Sequence, residues 1–129
     1  NLRFTSDATM QMAEVLPQAP DVLVLAFGTN DVFQGRTPQQ IHDAYVALQP
    51  VADAAGVPFY VATTPPIIGC PNCTTPIEQG NGMLRTTFAG RVIEFYTGFG
   101  AAEFSPDNYH LNSVGQQLRA ERALEVLGR

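Results

Sequence analysis

Short, continuously apolar runs alternate along the chain with segments whose apolar residues recur at helical spacing. Residues 21–28 form such a run, rich in β-branched side chains, which predicts a parallel strand covered on both faces. Residues 57–62 and 91–96 predict a second and a third strand. The chain therefore carries three predicted strands, each separated from the next by a longer polar and amphipathic stretch.

Helical stripes fill the intervals between these strands. The first long helix is expected to begin at Thr37 as N-cap, with Gln40 closing a capping box, and to run to residue 55 with a kink at Pro50. A proline-rich loop over residues 63–76 and a short helix over about 77–89 follow. The last helix is predicted from Ser113 to Leu127, with polar residues on its outer side.

The order strand, helix, strand, helix, strand, helix predicts an α/β fold with a parallel sheet and helices on both faces. Ligands of such sheets bind outside the carboxyl ends of the strands. Two segments are expected there, residues 28–31 after the first strand and the loop that follows residue 96. They form one candidate site.

Length and charge exclude several classes of function. A chain of 129 residues is expected to form a single domain over 1–129, and no apolar run is long enough for a membrane span. The net charge is −5, and the seven basic residues are all arginines scattered singly, which argues against a nucleic-acid partner. The absence of lysine favours a bacterial source.

The segment before the last helix holds the residues most suited to catalysis. Asp107 and His110, three positions apart in a turn, can place a carboxylate against one imidazole nitrogen while the other nitrogen faces a cleft, as a general base requires. The alternative is that Asp107 and Asn112 only cap turns. For the earlier segment, Asp31 is expected to bond local backbone N–H groups and Arg36 to be a surface charge.

Taken together, the tetrapeptide Gly28-Thr29-Asn30-Asp31 and the Asp107-x-x-His110 spacing resemble the motifs of the SGNH hydrolases, the GDSL-type esterases and lipases. The resemblance implies a flavodoxin-like three-layer α/β sandwich that acts on small-molecule acyl esters without a cofactor. It also implies that His110 is the general base, that Asp107 orients it, and that the Asn30 side chain donates to the oxyanion.

The resemblance implies further site residues and one gap. Ser6 falls where the family has a glycine whose backbone N–H serves the oxyanion hole, while Gly28, Thr29 and Tyr109 are expected to contact substrate. The Gly-Asp-Ser-Leu block that carries the nucleophile is not found in this chain. We therefore expect an N-terminally incomplete domain whose first strand is missing, inactive alone. A non-catalytic binding module with a degenerate esterase fold is the alternative.

The sequence Cys70-Pro71-Asn72-Cys73 resembles glutaredoxin-type redox motifs. Those motifs open a helix, whereas this one is predicted to lie in a loop, which favours a structural disulfide or free thiols instead. A disulfide would indicate an oxidising compartment, such as a secreted or periplasmic location. A zinc site is not expected, because His42 and His110 are the only histidines.

An open strand edge predicts self-association. If the first strand of the family fold is missing, residues 22–27 present unpaired N–H and C=O groups. We therefore expect a homodimer through this edge.

Overall fold

The computed structural model describes residues 8–128, and side chains from residue 11 onward. Five helices, three strands and two short 3₁₀ turns succeed one another there. In chain order they are α1 (Ala8–Val15), a 3₁₀ turn (Leu16–Gln18), β1 (Leu23–Leu25), α2 (Thr29–Phe33), α3 (Pro38–Ala54), β2 (Phe59–Ala62), α4 (Pro71–Thr87), β3 (Val92–Ile93), a second 3₁₀ turn (Ala101–Glu103) and α5 (Ser113–Leu127).

The three strands form one parallel sheet in the order β1-β2-β3. Leu23 pairs with Phe59 and Leu25 with Val61, and Val61 in turn pairs with Val92. Parallel neighbours require helical crossovers, so the predicted α/β class is confirmed.

Two apolar clusters cover the two faces of the sheet. On one face, β1 and β2 pack against α1, α3 and α4 through a buried cluster. On the other face, Ala62 and Ile93 pack with the chain after β3 and with α5. Because successive strand residues point to opposite faces, β2 contributes Phe59 and Val61 to the first cluster and Ala62 to the second. The predicted three-layer arrangement therefore holds.

The start of α3 follows the predicted capping box. The Thr37 hydroxyl accepts a bond from the Gln40 backbone N–H at 3.1 Å, and the Gln40 side chain accepts one from the Thr37 backbone N–H at 2.9 Å. The helix continues through Pro50 to Ala54, because its buried face of Ile41, Tyr45, Leu48 and Ala52 packs against the sheet.

The expected loop over residues 63–76 is wrong in its second half. Helix α4 begins at Pro71, six residues earlier than the predicted start, and passes through Pro76. Proline is tolerated at the first helical position, where its missing N–H would have no partner. Burial of Cys73 and Ile77 in the first turns of α4 then outweighs the bond that Pro76 removes. The cysteine pair therefore opens a helix instead of lying in a loop.

The predicted third strand is also too long, since only Val92 and Ile93 join the ladder. The Glu94 carboxylate accepts bonds from the backbone N–H groups of Tyr96 and Thr97, at 3.1 and 3.2 Å, and so turns the chain away. Side-chain capping of backbone N–H groups competes here with strand pairing.

Strand β1 is less covered than its sequence predicts. Val24 is 40% exposed although it lies on the α5 face of the sheet, while Leu23 and Leu25 on the other face are buried. β1 is an edge strand of the sheet that the described residues form. The expected dimer through this edge stays a prediction, which a light-scattering mass at micromolar concentration would test. Within residues 8–128, no helix has the length and apolar character needed to cross a membrane.

Candidate active site

Two turns lie at the carboxyl end of the sheet, and we name them by their central residues. The asparagine turn comprises residues 28–31, directly after β1 and into α2. The histidine turn comprises residues 105–110, which lead into α5. The two turns meet where the Tyr109 hydroxyl donates a hydrogen bond to Asn30 Oδ1 at 3.3 Å, across 79 positions of sequence. The structure thus brings together the two segments that the sequence singles out.

The asparagine turn depends on a glycine. Gly28 has a φ of 120°, outside the range that L side chains favour, and a Cβ there would collide with Thr64 Oγ1. With no side chain, the Gly28 backbone passes close to the end of β2 and directs the chain into α2. The position therefore requires glycine for packing. Contact of Gly28 and Thr29 with substrate stays a prediction.

Buried polar groups fix the chain just before this turn. The Tyr45 hydroxyl, fully buried on α3, donates to the Phe27 carbonyl at 2.9 Å and accepts from the Phe27 N–H at 2.6 Å. Burial raises the pKa of Tyr45, so the phenol stays protonated. Thr64 Oγ1 donates to the same carbonyl at 3.3 Å. Two neighbouring elements therefore hold the end of β1.

Thr64 is itself held by Asn81 of α4. Asn81 Oδ1 accepts from the Thr64 N–H at 2.8 Å, and Asn81 Nδ2 donates to the Thr64 carbonyl at 2.9 Å, with both residues buried. The sequence gives one signal for this pair, a polar residue placed among the apolar positions of a helix. Tyr45, Thr64 and Asn81 support the site and were not predicted from sequence.

Asp31 follows Asn30 and is completely buried. Its Oδ1 forms an ion pair with Arg36 Nη1 at 2.7 Å. Arg36 is therefore more than the surface charge that the sequence suggests, because it neutralises a buried carboxylate. The pair fixes α2 and the loop after it.

The histidine turn is organised by one carboxylate. Asp107 Oδ2 lies 2.7 Å from His110 Nδ1, and Asp107 Oδ1 accepts from the backbone N–H groups of Tyr109 and His110 at 2.9 and 3.0 Å. The bond from the His110 ring and these two N–H groups lower the pKa of Asp107 to about 2. An ionised Asp107 holds the proton on Nδ1, so His110 Nε2 is left as a proton acceptor.

Three aromatic rings and one amide lie where the two turns meet. The Tyr109 ring lies edge-on to the His110 ring, with centroids 5.0 Å apart, and is tilted against Phe33 at 5.8 Å. Burial raises the pKa of Tyr109, so its hydroxyl remains a donor toward Asn30 Oδ1. Because Oδ1 accepts this bond, the Nδ2 group of Asn30 is the donor left for an incoming oxygen.

Asp107 and Asn112 also form the caps that the sequence offers as the alternative to catalysis. Asn112 caps α5 by accepting from the Gly115 N–H at 2.9 Å, while its amide donates to the carbonyls of Ala102 and Phe104. Asn112 therefore fixes the angle at which α5 follows the histidine turn. Asp107 both closes the turn and contacts the imidazole, so capping is compatible with the orienting role, which stays a prediction. Ser6 lies outside the described residues.

A cavity of about 250 Å³ adjoins Thr29 at the carboxyl end of the sheet. Among the described residues, apolar side chains, two threonines and one arginine line it: Ala26, Phe27, Thr29, Thr63, Pro65, Phe95, Phe99, Leu111 and Arg119. A larger groove of about 770 Å³ separates α3 from α4 and holds none of the predicted site residues. The larger groove therefore does not coincide with the predicted catalytic residues. We place the candidate site at the two turns, where the polar groups converge.

Solved structures of esterases share this fold. One is a member of the lipolytic protein G-D-S-L family from Veillonella parvula, with a TM-score of 0.86 and 22% identity over 98% of this chain and 76% of that chain. Another is the acetyl xylan esterase AlAXEase, with a TM-score of 0.81 and 20% identity over 95% and 75%. A carbohydrate esterase family 3 protein from Talaromyces cellulolyticus gives 0.80 and 24% over 97% and 66%.

No family model and no curated protein matches the sequence. The likeness is therefore structural, and at these identities it establishes the fold: the chain has the α/β fold of the GDSL-type esterases.

Proposed function

We propose that this chain forms the base and oxyanion side of a serine esterase that hydrolyses small acyl esters. The observation that carries the proposal is the contact between the two turns. A histidine oriented by a carboxylate at 2.7 Å lies next in sequence to the tyrosine that bonds Asn30. The structural neighbours named as an acetyl xylan esterase and a carbohydrate esterase support the same reaction class.

The residues divide the work of ester hydrolysis. His110 Nε2 takes the proton from the attacking serine hydroxyl and returns it to the leaving alkoxide, while Asp107 holds the imidazole and stabilises its charged form. The Asn30 amide N–H donates to the oxygen that becomes negative in the tetrahedral intermediate. Water then attacks the acyl-enzyme with His110 again as base.

The nucleophile and one donor are the parts of this proposal that rest on resemblance alone. Residues 1–129 contain no Gly-Asp-Ser-Leu block, so the proposed reaction needs a serine from outside these residues. The backbone N–H of Ser6 is the proposed second oxyanion donor. On these assignments the 129 residues alone are inactive, since losing the serine of such a triad costs about six orders of magnitude in rate.

The first test is the coding sequence upstream of Asn1. An in-frame strand followed by Gly-Asp-Ser is expected. A start codon close to Asn1 would instead favour the binding module.

The second test is hydrolysis of p-nitrophenyl acetate by the full-length protein. His110→Ala is expected to lower kcat about 10⁴- to 10⁶-fold, because the serine then has no base. The matched control is His42→Ala, which removes the other histidine and leaves kcat within about threefold, since His42 lies in the groove between α3 and α4. Equal rates for the wild type and His110→Ala would refute the assignment of the base.

A further inference from the structure

The first turn of α4 contains a disulfide between Cys70 and Cys73. We propose that this disulfide is a thiol–disulfide exchange site, at which small thiols such as glutathione attack Cys70 and release Cys73. The site is separate from the asparagine and histidine turns, and the proposal does not depend on the esterase assignment.

The position of Cys70 favours a reactive thiolate. Cys70 is the N-cap of α4, a helix of 17 residues whose first turn holds no acidic side chain. Backbone N–H groups at a helix N-terminus stabilise a negative charge, which lowers the pKa of a thiol there. Pro71 at the first helical position has no N–H of its own, and the N-cap position places Cys70 at the positive end of the helix dipole. The Cys70 thiolate, which is released when the disulfide is reduced and attacks when the disulfide forms again, is thereby stabilised.

The two sulfurs differ in access. Cys70 is half-buried, whereas Cys73 is 7% exposed and is buried like Ile77 one turn later on the same helix. An incoming thiolate therefore reaches Cys70 more readily. This is the asymmetry that a two-cysteine exchange site needs, with an outer sulfur that reacts and an inner one that resolves.

The disulfide contributes little to the stability of the fold. A disulfide stabilises chiefly by restricting the unfolded chain, and the restriction is smallest for the shortest loops. Here the bridged residues are three positions apart and already share a turn, because the Cys73 N–H donates to the Cys70 carbonyl at 3.0 Å. Helix α4 is anchored further along by Asn81 and Leu84. We therefore expect the dithiol form to stay folded.

The exchange balances in two steps. A glutathione thiolate attacks Cys70 Sγ, the Cys70–Cys73 bond breaks, and Cys73 Sγ leaves as a thiolate that takes a proton. A second glutathione thiolate then attacks the glutathione sulfur of the mixed disulfide and releases Cys70. The protein disulfide is reduced to a dithiol while two glutathione molecules are oxidised to one disulfide.

The first experiment equilibrates the wild-type protein in glutathione buffers of varied ratio, traps free thiols with N-ethylmaleimide and counts adducts by mass. We expect two adducts to appear as the reduced fraction of glutathione rises, with unchanged helical circular dichroism. A structural disulfide resists the glutathione pool. Protein that remains oxidised in reduced glutathione until urea unfolds it would overturn the proposal.

The second experiment compares Cys73→Ser with Cys70→Ser in oxidised glutathione. Cys73→Ser keeps the outer thiol without its resolving partner and should accumulate one mixed disulfide, at least about tenfold faster than Cys70→Ser. In urea the two variants should react at similar rates, which shows that the fold sets the difference. Equal rates in the folded state, a faster Cys70→Ser, or no adduct on either variant would each contradict the proposal.

Discussion

The asparagine turn and the histidine turn meet at one bond but are held in place by different means. Asp31 in the first is fully buried, and the chain before it is fixed by Tyr45 and Thr64 from other elements. In the second, the side chains of Asp107 and His110 are 49% and 71% exposed, and their bonds run within the turn.

The difference separates stability from catalysis. Bonds between distant elements form only when the core is built, so a change in the asparagine turn is expected to affect both the fold and the rate. Bonds within the histidine turn involve exposed groups, which contribute little to the free energy of unfolding. A change there should act on the rate alone.

Asp107→Asn is the sharpest test of this contrast. We expect kcat/KM for p-nitrophenyl acetate in the full-length protein to fall by about 10⁴-fold, because the amide favours the wrong tautomer of His110. The melting temperature should change less than for any substitution at Asp31. Steady-state kinetics and thermal unfolding by circular dichroism measure the two quantities.

Asp43→Asn is the matched control, since Asp43 Oδ1 lies 3.2 Å from the Nδ1 of the other histidine, His42. It should leave kcat/KM within about threefold of the wild type. If both variants lost activity equally, the loss would not report on the base at His110.

Asn30→Ala tests the other side of the site. Removal of one oxyanion donor is expected to lower kcat by about 10²- to 10³-fold with little change in KM, because the bond forms only as the oxygen gains charge. Gln39→Ala, an exposed amide on α3, is the control. A rise in KM at constant kcat would instead make Asn30 a substrate-binding residue.

The elements that could be predicted from the sequence are those set by local bonds. The capping box at Thr37 was readable because both partners lie within one turn of helix. The bounds of α5, Ser113–Leu127, followed from its apolar spacing, and Asp107 and His110 were readable as a pair because their contact spans three positions.

The features that were missed depend on partners far away in sequence. Asn81 is buried against Thr64, seventeen positions away, and a polar residue at an apolar helix position does not reveal which residue it pairs with. The same reason explains why α4 starts early, because Cys73 and Ile77 become buried only once the sheet is present. Tyr45 looked like an ordinary apolar position of α3, and its hydroxyl contact with Phe27 was invisible.

Asp31→Asn should give the largest loss of stability. The substitution removes the anionic partner of Arg36 and leaves an amide buried, for a cost of about 2 kcal/mol, reduced from the fully buried case because Arg36 is partly exposed. The melting temperature is expected to fall by roughly 8 °C. Asp53→Asn, on the exposed side of α3, should change it by less than about 2 °C. If Asp31→Asn lowered the melting temperature less than Asp107→Asn, the comparison between the two turns would be reversed.

Glu94→Gln is expected to have the smallest effect on stability, and this effect should depend on pH. Burial alone raises the pKa of Glu94, but bonds from Arg85, Thr97, Thr63 and Tyr96 outweigh burial and lower it to about 2, from the usual 4.5. Because the folded-state pKa is depressed, the contribution to stability is present above pH 4.5 and is lost as the pH falls toward 2.

Glu94→Gln should therefore melt below the wild type at pH 7, by roughly 3–5 °C once solvent screening of the pair is allowed for. The gap should close as the pH approaches 2, where the wild-type carboxyl becomes protonated. Glu121→Gln, an exposed change on α5, should show no such convergence. A constant gap from pH 7 to pH 2 would mean that Glu94 stabilises the end of β3 by its shape and neutral hydrogen bonds, with no part played by its charge.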